Sequence, residues 1–183
     1  MKNLTFKEAF NYPFNRAKGM LNILWILVPI IGWLALIGYT VRIVQEFTKG
    51  KYKKLPLFKF KKDLKLGFFM FLKSLPFILI YIIIIGIFNA ITPWLDIAEH
   101  LINLFILPIL TINFVKKMTV SSYFEFKIIK YVFNNFGDYI IILLKSILLS
   151  LIFFIMIIVL VGLPAGAFTK NMFIADFYRR RVK

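Results

Sequence analysis

Asp96, Glu99 and His100 are the residues whose types and spacing come closest to chemistry. Asp96 and His100 stand four apart, which places them on one face of a helix, with Glu99 beside them. A carboxylate and an imidazole at that spacing can hold a proton or part of a metal shell. A metal site needs three or four ligands, and a general base needs an orienting partner. The trio therefore reads as polar capping at a helix end, with Asp96 favourable near an N-terminus and His100 not catalytic.

Other routes to chemistry are closed. There is no Cys, which excludes disulfides, thiolate catalysis and iron–sulfur clusters. Gly-x-Ser-x-Gly, His-Glu-x-x-His and a phosphate-cradling nucleotide loop are all absent. The chain has only eight Asp and Glu, too few and too scattered for paired-carboxylate hydrolysis. The expectation is a non-enzyme with no catalytic residues, no cofactor and no metal.

The elements that carry these residues belong in a membrane. Hydrophobic residues make up 61% of the 183, and the mean hydropathy is +0.83. No single water-soluble core of this size hides that much apolar surface. The charge is lopsided, with 24 Lys and Arg against eight acids. Basicity of this kind often signals nucleic acid, but here the basic clusters alternate with long uncharged runs. Anionic lipid headgroups are the expected partner, and nucleic acid is not. The abundance of Lys, Ile, Asn and Phe suggests a prokaryotic source. The first apolar run lacks a small-residue cleavage site and reads as retained.

No charge occurs between Lys18 and Arg42, between Lys73 and Asp96, or between Lys145 and Lys170. A shorter run extends from Leu101 to Val115. Each long run can cross a bilayer, which takes about 20 apolar residues. Four straight spans would put basic clusters on opposite sides. Residues 42–65 hold nine basic residues against two acids, and the stretch before them holds four against one. Breaking the first run at Pro29 and Gly32, and the last at Pro164 and Gly166, removes the conflict. The fold expected is an all-α, polytopic helical bundle, residues 1–183 forming one membrane domain. Its six membrane segments lie near 12–28, 32–48, 67–91, 97–115, 139–161 and 164–178. The positive-inside rule then makes it a multi-pass cell-membrane protein with both termini cytoplasmic. Segments one and six are short enough to be re-entrant or to thin the bilayer.

Two inner-surface regions follow from this layout. Lys51, Lys53, Lys54, Lys61 and Lys62 crowd the loop after the second segment. The stretch 120–136 places Lys127 and Lys130 on a polar stripe among Phe, Tyr and Ile, which suits an amphipathic helix lying in the interface. Together these seven lysines are the candidate lipid-binding residues. Phe58-Lys59-Phe60-Lys61 resembles Phe124-Glu125-Phe126-Lys127, and Leu72-Lys73-Ser74 recurs as Leu144-Lys145-Ser146. This suggests an internal repeat of 28–95 and 107–165, with coincidence as the rival explanation in so Phe- and Lys-rich a chain. Lys73 and Lys145 lie within helices, where a Lys either snorkels to the headgroups or serves a function. Lys170 and Asp176, with Asn171 and Thr169, imply a last segment that faces protein or a watery cavity, or a tail that leaves the membrane early.

Tyr12-Pro13-Phe14, Pro29-Ile30-Ile31-Gly32, Gly38-Tyr39, Arg42, Gly50, Leu55-Pro56 and Gly67 form a pattern. It resembles the domain-of-unknown-function 4013 family, multi-pass membrane proteins of archaea and bacteria. The specific part covers about residues 12–67. In the family the Leu-Pro is usually followed by acidic and Trp residues, where this chain has Phe58-Lys59-Phe60-Lys61. The resemblance implies topology and class and carries no activity. The function expected is that of a non-catalytic accessory, scaffolding or immunity-like membrane protein with a basic inner face. It would act through a protein partner or as a homo-oligomer. The alternative is a small oligomeric transporter or channel that uses the broken helices.

Overall fold

The structure is a computed structural model that describes residues 3–91 and 95–182; the side chains of 89–91, 95, 96 and 98 lie outside that description. The described residues fold into ten α-helices joined by short 3-10 and π turns. They are α1 (Phe6–Asn11), α2 (Ala17–Met20), α3 (Ile31–Thr48), α4 (Phe60–Ile91), α5 (Leu95–Leu101), α6 (Leu107–Lys117), α7 (Ile129–Asn134), α8 (Phe136–Ile155), α9 (Gly162–Thr169) and α10 (Met172–Arg181). Among the described residues there is no strand, so the fold is all-α. Among the described residues three stretches are long and apolar enough to cross a membrane: Phe60–Phe88, Glu99–Lys117 and Phe136–Val159.

The sequence explains where these helices begin and end. Thr5 and Glu8 form a reciprocal capping box that starts α1. Asp63 sits in the first turn of α4, where the helix dipole favours an acid. The left-handed Met118 ends α6. Three donors serve the last turn of α6: Gln45 to the Val115 carbonyl (3.1 Å), the Met118 amide to Phe114 (2.7 Å) and the Lys73 ammonium to the Met118 carbonyl (2.8 Å). Lys73 therefore caps a neighbouring helix.

The outer pairs of segments differ from expectation. Residues 12–28 do not make one helix; they form a 3-10 turn (Phe14–Arg16), α2 and a 3-10 run (Leu21–Leu27). The chain does reverse beside Pro29, at Ile30, whose φ is 61°. Gly32 is already helical; a Cβ there would run into the Trp25 carbonyl oxygen. At the other end the reversal falls at Leu160, with φ 60°, four residues before Pro164. Pro164 lies in the first turn of α9, where a missing donor is harmless, and Gly166 is inside that helix. Gly162 is the close contact, since a Cβ there would meet the Phe153 carbonyl oxygen. The final segment breaks again at Lys170–Asn171, between α9 and α10. The stretch 120–136 is not one amphipathic helix either. It is split into 3-10 pieces Val120–Phe124 and Phe126–Ile128 and then α7, because Asn113 draws the Ser122 carbonyl and the Glu125 carboxylate inward.

Two features organise the bundle. The first is the antiparallel contact of α3 and α4, where Gly38 and Gly67 bring the backbones together. A Cβ on Gly38 would strike the Asp63 carbonyl oxygen, and one on Gly67 the Leu34 carbonyl oxygen. The second is α10, in which every residue from Met172 to Tyr178 is buried. This helix packs against α3, α6 and α8. Around it Phe6 stacks on Phe173 and Tyr139 meets Phe177 edge-on.

Gly38→Ala is expected to destabilise the protein by about 1–3 kcal/mol through overpacking. Gly86 has nothing within 4 Å of the corresponding position. Gly86→Ala should therefore be neutral or stabilise by up to about 1 kcal/mol through helix propensity. Thermal unfolding in detergent, followed by helical circular dichroism, measures both; equal effects would remove the backbone contact as the cause.

Candidate functional site

Contacts between side chains gather the basic regions at one end of the bundle. Gly50, at φ 75°, lies beside the Arg179 side chain, and Gln45 reaches Met118. Arg180 pairs with Asp138 at the start of α8 (2.9 Å). The N-terminal Leu4 amide donates to Asp176 (3.3 Å). The ends of α3, α6 and α10, the start of α8 and the N-terminus therefore meet. The exposed lysines Lys51, Lys53, Lys54, Lys61 and Lys62 project from the loop and from the start of α4, and Lys127 and Lys130 project from the 120–134 stretch.

Beneath those lysines lie two buried carboxylates. Asp63 is fully buried and receives Arg42 through Nε (2.5 Å) and an Nη (2.7 Å), together with the Lys59 amide (2.7 Å). Arg42 also donates to the Leu57 carbonyl (2.7 Å), Tyr39 to that of Pro56 (3.0 Å), and Arg16 to that of Leu55. Gly38, Tyr39, Arg42, Leu55, Pro56 and Gly67 thus fasten the 49–59 loop onto α3 and α4. Asp176 accepts from Tyr52 (2.9 Å), Arg179 (2.7 Å) and Arg180 (3.0 Å). Burial first, and the neighbouring Asp176 second, push the Tyr52 hydroxyl well above its ordinary value, so it stays a neutral donor. A third, more exposed link joins Lys117 to Glu125, and that hydrogen bond is the main reason the Glu125 carboxyl is held below its usual range. Asn113, fully buried, accepts from Tyr178 (2.6 Å) and donates to the Ser122 carbonyl (2.7 Å).

The polar trio at the other end is brought together only in part. Glu99 receives a long hydrogen bond from Asn103 (3.4 Å), and Asn103 in turn accepts from Tyr81 (2.7 Å). His100 is exposed, and the Asp96 side chain lies outside the described residues. No group of three or more potential metal ligands occurs among the described residues.

Sequence reasoning singled out Lys170 and Asn171 without giving them a site. They line an open cleft of about 660 Å³ between α6, α8 and the break before α10. Its polar lining is Asn103, Thr111, Ser146, Ser150, Lys170 and Asn171. The Ser146 hydroxyl oxygen is buried and has no hydrogen-bond partner among the described residues. The signal in the sequence was a Thr-Lys-Asn run whose Lys follows 24 uncharged residues.

Asp63→Asn should cost about 3 kcal/mol, because it leaves Arg42 without its counter-charge, though the guanidinium keeps some contact with water. Glu125→Gln, in a pair more than a third exposed, should change stability by less than about 1 kcal/mol. Chemical-shift dispersion and thermal unfolding of both variants check the contrast; similar losses would mean that Asp63 is not structural.

No curated protein and no solved structure matches the chain. A family model does. It is the model of the family described as protein of unknown function (DUF4013); it matches residues 21–102, which hold α3, α4 and the 49–59 loop that the Gly38, Tyr39, Arg42 and Leu55–Pro56 contacts fasten, and over those residues the chain is similar to that family.

Proposed function

We propose that this is a non-catalytic integral membrane protein that acts by association and holds anionic lipid headgroups at its basic end. One observation carries the reading. The buried acids Asp63 and Asp176 are already neutralised by Arg42, Arg179 and Arg180, while Lys51, Lys53, Lys54, Lys61 and Lys62 stay exposed on one end of three apolar helices. The arginines hold the fold, and the lysines are free for a partner. Lys near an anionic surface is worth about 1 kcal/mol each, within a Debye length. On this reading the basic end is cytoplasmic, both termini are inside, and the protein serves as an accessory, scaffolding or protective subunit, alone or as a homo-oligomer.

A second reading, a small oligomeric transporter, draws on the break at Lys170–Asn171 and the clefts beside it. Substrate-dependent flux in proteoliposomes would favour it over association.

Reporter fusions after residues 18, 55, 120 and 183 should all read cytoplasmic. An outside signal at the 49–59 loop would overturn the topology. Replacing Lys51, Lys53, Lys54, Lys61 and Lys62 together by Gln should lower the ratio of anionic to zwitterionic lipid that copurifies with the full-length protein. The difference should shrink as salt rises. An unchanged ratio at low salt would refute lipid binding by this face.

A further inference from the structure

The Lys170 cleft lies away from the basic end. Helix α10 has ten residues, so Lys170 stands about 15 Å along it from Arg181 at 1.5 Å per residue. Ser150 is likewise about 18 Å along α8 from Asp138, the partner of Arg180. With the arginines at the headgroup level, these residues lie about halfway through a hydrocarbon core of about 30 Å. Lys170 is exposed there and has no hydrogen-bond or ion-pair partner among the described residues. It has the company of other polar groups instead. The Ser146 hydroxyl is unpartnered, and Asn171 begins α10 without a side-chain cap.

The walls are apolar and open outward. Leu104, Ile147, Leu151 and Phe154 line the cleft and remain 41–70% exposed. A second groove of about 320 Å³ between α8 and α9 shares Ser150, Phe154 and Lys170 and continues past Ile157, Gly162 and Gly166. The result is one positive, hydrogen-bonding centre with hydrocarbon-lined arms. That combination fits a head carrying a single negative charge on a molecule with acyl chains, and it fits a free inorganic anion poorly, since such an ion would leave the arms empty.

We propose that the Lys170 cleft binds one anionic phospholipid, with its phosphate against Lys170, Asn171 and Ser146 and an acyl chain along Leu151, Phe154 and Ile157. This rests on the membrane reading above but not on the basic end, and it provides the neutralising group that an intramembrane ammonium otherwise lacks.

The test uses the full-length protein in detergent, with lipid retention read by native mass spectrometry. Phosphatidylglycerol should be retained as one tightly held molecule, about tenfold more strongly than phosphatidylcholine, as expected for a charge-assisted contact out of water. Lys170→Met should remove that preference, Lys170→Arg should keep it, and Ser146→Ala should weaken it severalfold. The five-lysine loop variant should lose other lipids but keep this one, so failure of the basic-end reading and failure of the cleft are told apart. Equal retention of the two lipids by the wild type would overturn the proposal, as would retention unaffected by Lys170→Met. Inorganic phosphate that competes fully at millimolar concentration would also overturn it, by showing a free-anion site. If Lys170→Met does not fold, phosphatidylglycerol carrying a diazirine on its acyl chain decides with wild-type protein alone. Crosslinks at Leu151, Phe154 or Ile157 support the site, and crosslinks confined to other helices refute it.

Discussion

A carboxylate that water cannot reach has to be neutralised by protein, and the arrangement of the basic end depends on how Asp63 and Asp176 meet that demand. Asp63 ties α4 to α3 through Arg42 and draws in the Lys59 amide, which fixes where the loop turns into helix. Asp176 joins parts of the chain that are far apart in sequence: Leu4, Tyr52 and the arginines of its own helix. Arg180 extends the link to Asp138 and so to α8. Either acid placed in an apolar core without these partners would unfold its surroundings. With them, each sets the angle and register of several helices at once.

The family motif makes sense in these terms. Gly38 and Gly67 allow α3 and α4 to touch backbone to backbone, and that closeness brings Arg42 within reach of Asp63. Tyr39, Leu55 and Pro56 belong to the same fastening, with Leu55 and Tyr39 fully buried. The motif's polar atoms are directed at backbone carbonyls of the loop and at the Asp63 carboxylate, so in the structure it holds the loop to the helix pair. Phe58 and Phe60 stack with Trp25, and Phe58 also meets Tyr39 edge-on, which adds apolar contact to the same fastening.

Helix content and long apolar runs were legible because they need only composition and length: the run after Lys73 continues α4 to Ile91, and the run after Lys145 continues α8 to Ile155. The reversal beside Pro29 was legible from charge. Its counterpart was misplaced because Pro164 and Gly166 looked like a turn, whereas a proline in a first turn is compatible with helix. The informative residue was Gly162. Both reversals share one device: a residue in the left-handed region, Ile30 or Leu160, followed two positions later by a glycine, Gly32 or Gly162, against which an earlier carbonyl rests. Nothing in single-residue propensity marks Ile or Leu for positive φ, so the tertiary contact decides. The split of 120–136 was hidden for a similar reason, since its cause, Asn113, lies on another helix.

The division of labour between arginine and lysine follows from their chemistry. Arg42, Arg179 and Arg180 engage carboxylates at several atoms each, which suits a planar, permanently charged fork that must remain partly buried. Lysines are spread over the outside, where a strongly hydrated ammonium belongs. Lys73 and Lys170 depart from that pattern in different ways. Lys73 finds a helix-ending carbonyl, so its charge meets the negative end of α6. Lys170 sits at the end of α9, where its charge also meets a helix C-terminus, yet its ammonium reaches no acceptor within the described chain. If the bundle spans a bilayer as proposed, a helix dipole alone offsets only about 0.3–1 kcal/mol, less than the cost of an ammonium in hydrocarbon. On the membrane reading the remainder comes from water held by the polar lining of the cleft or from a bound anion.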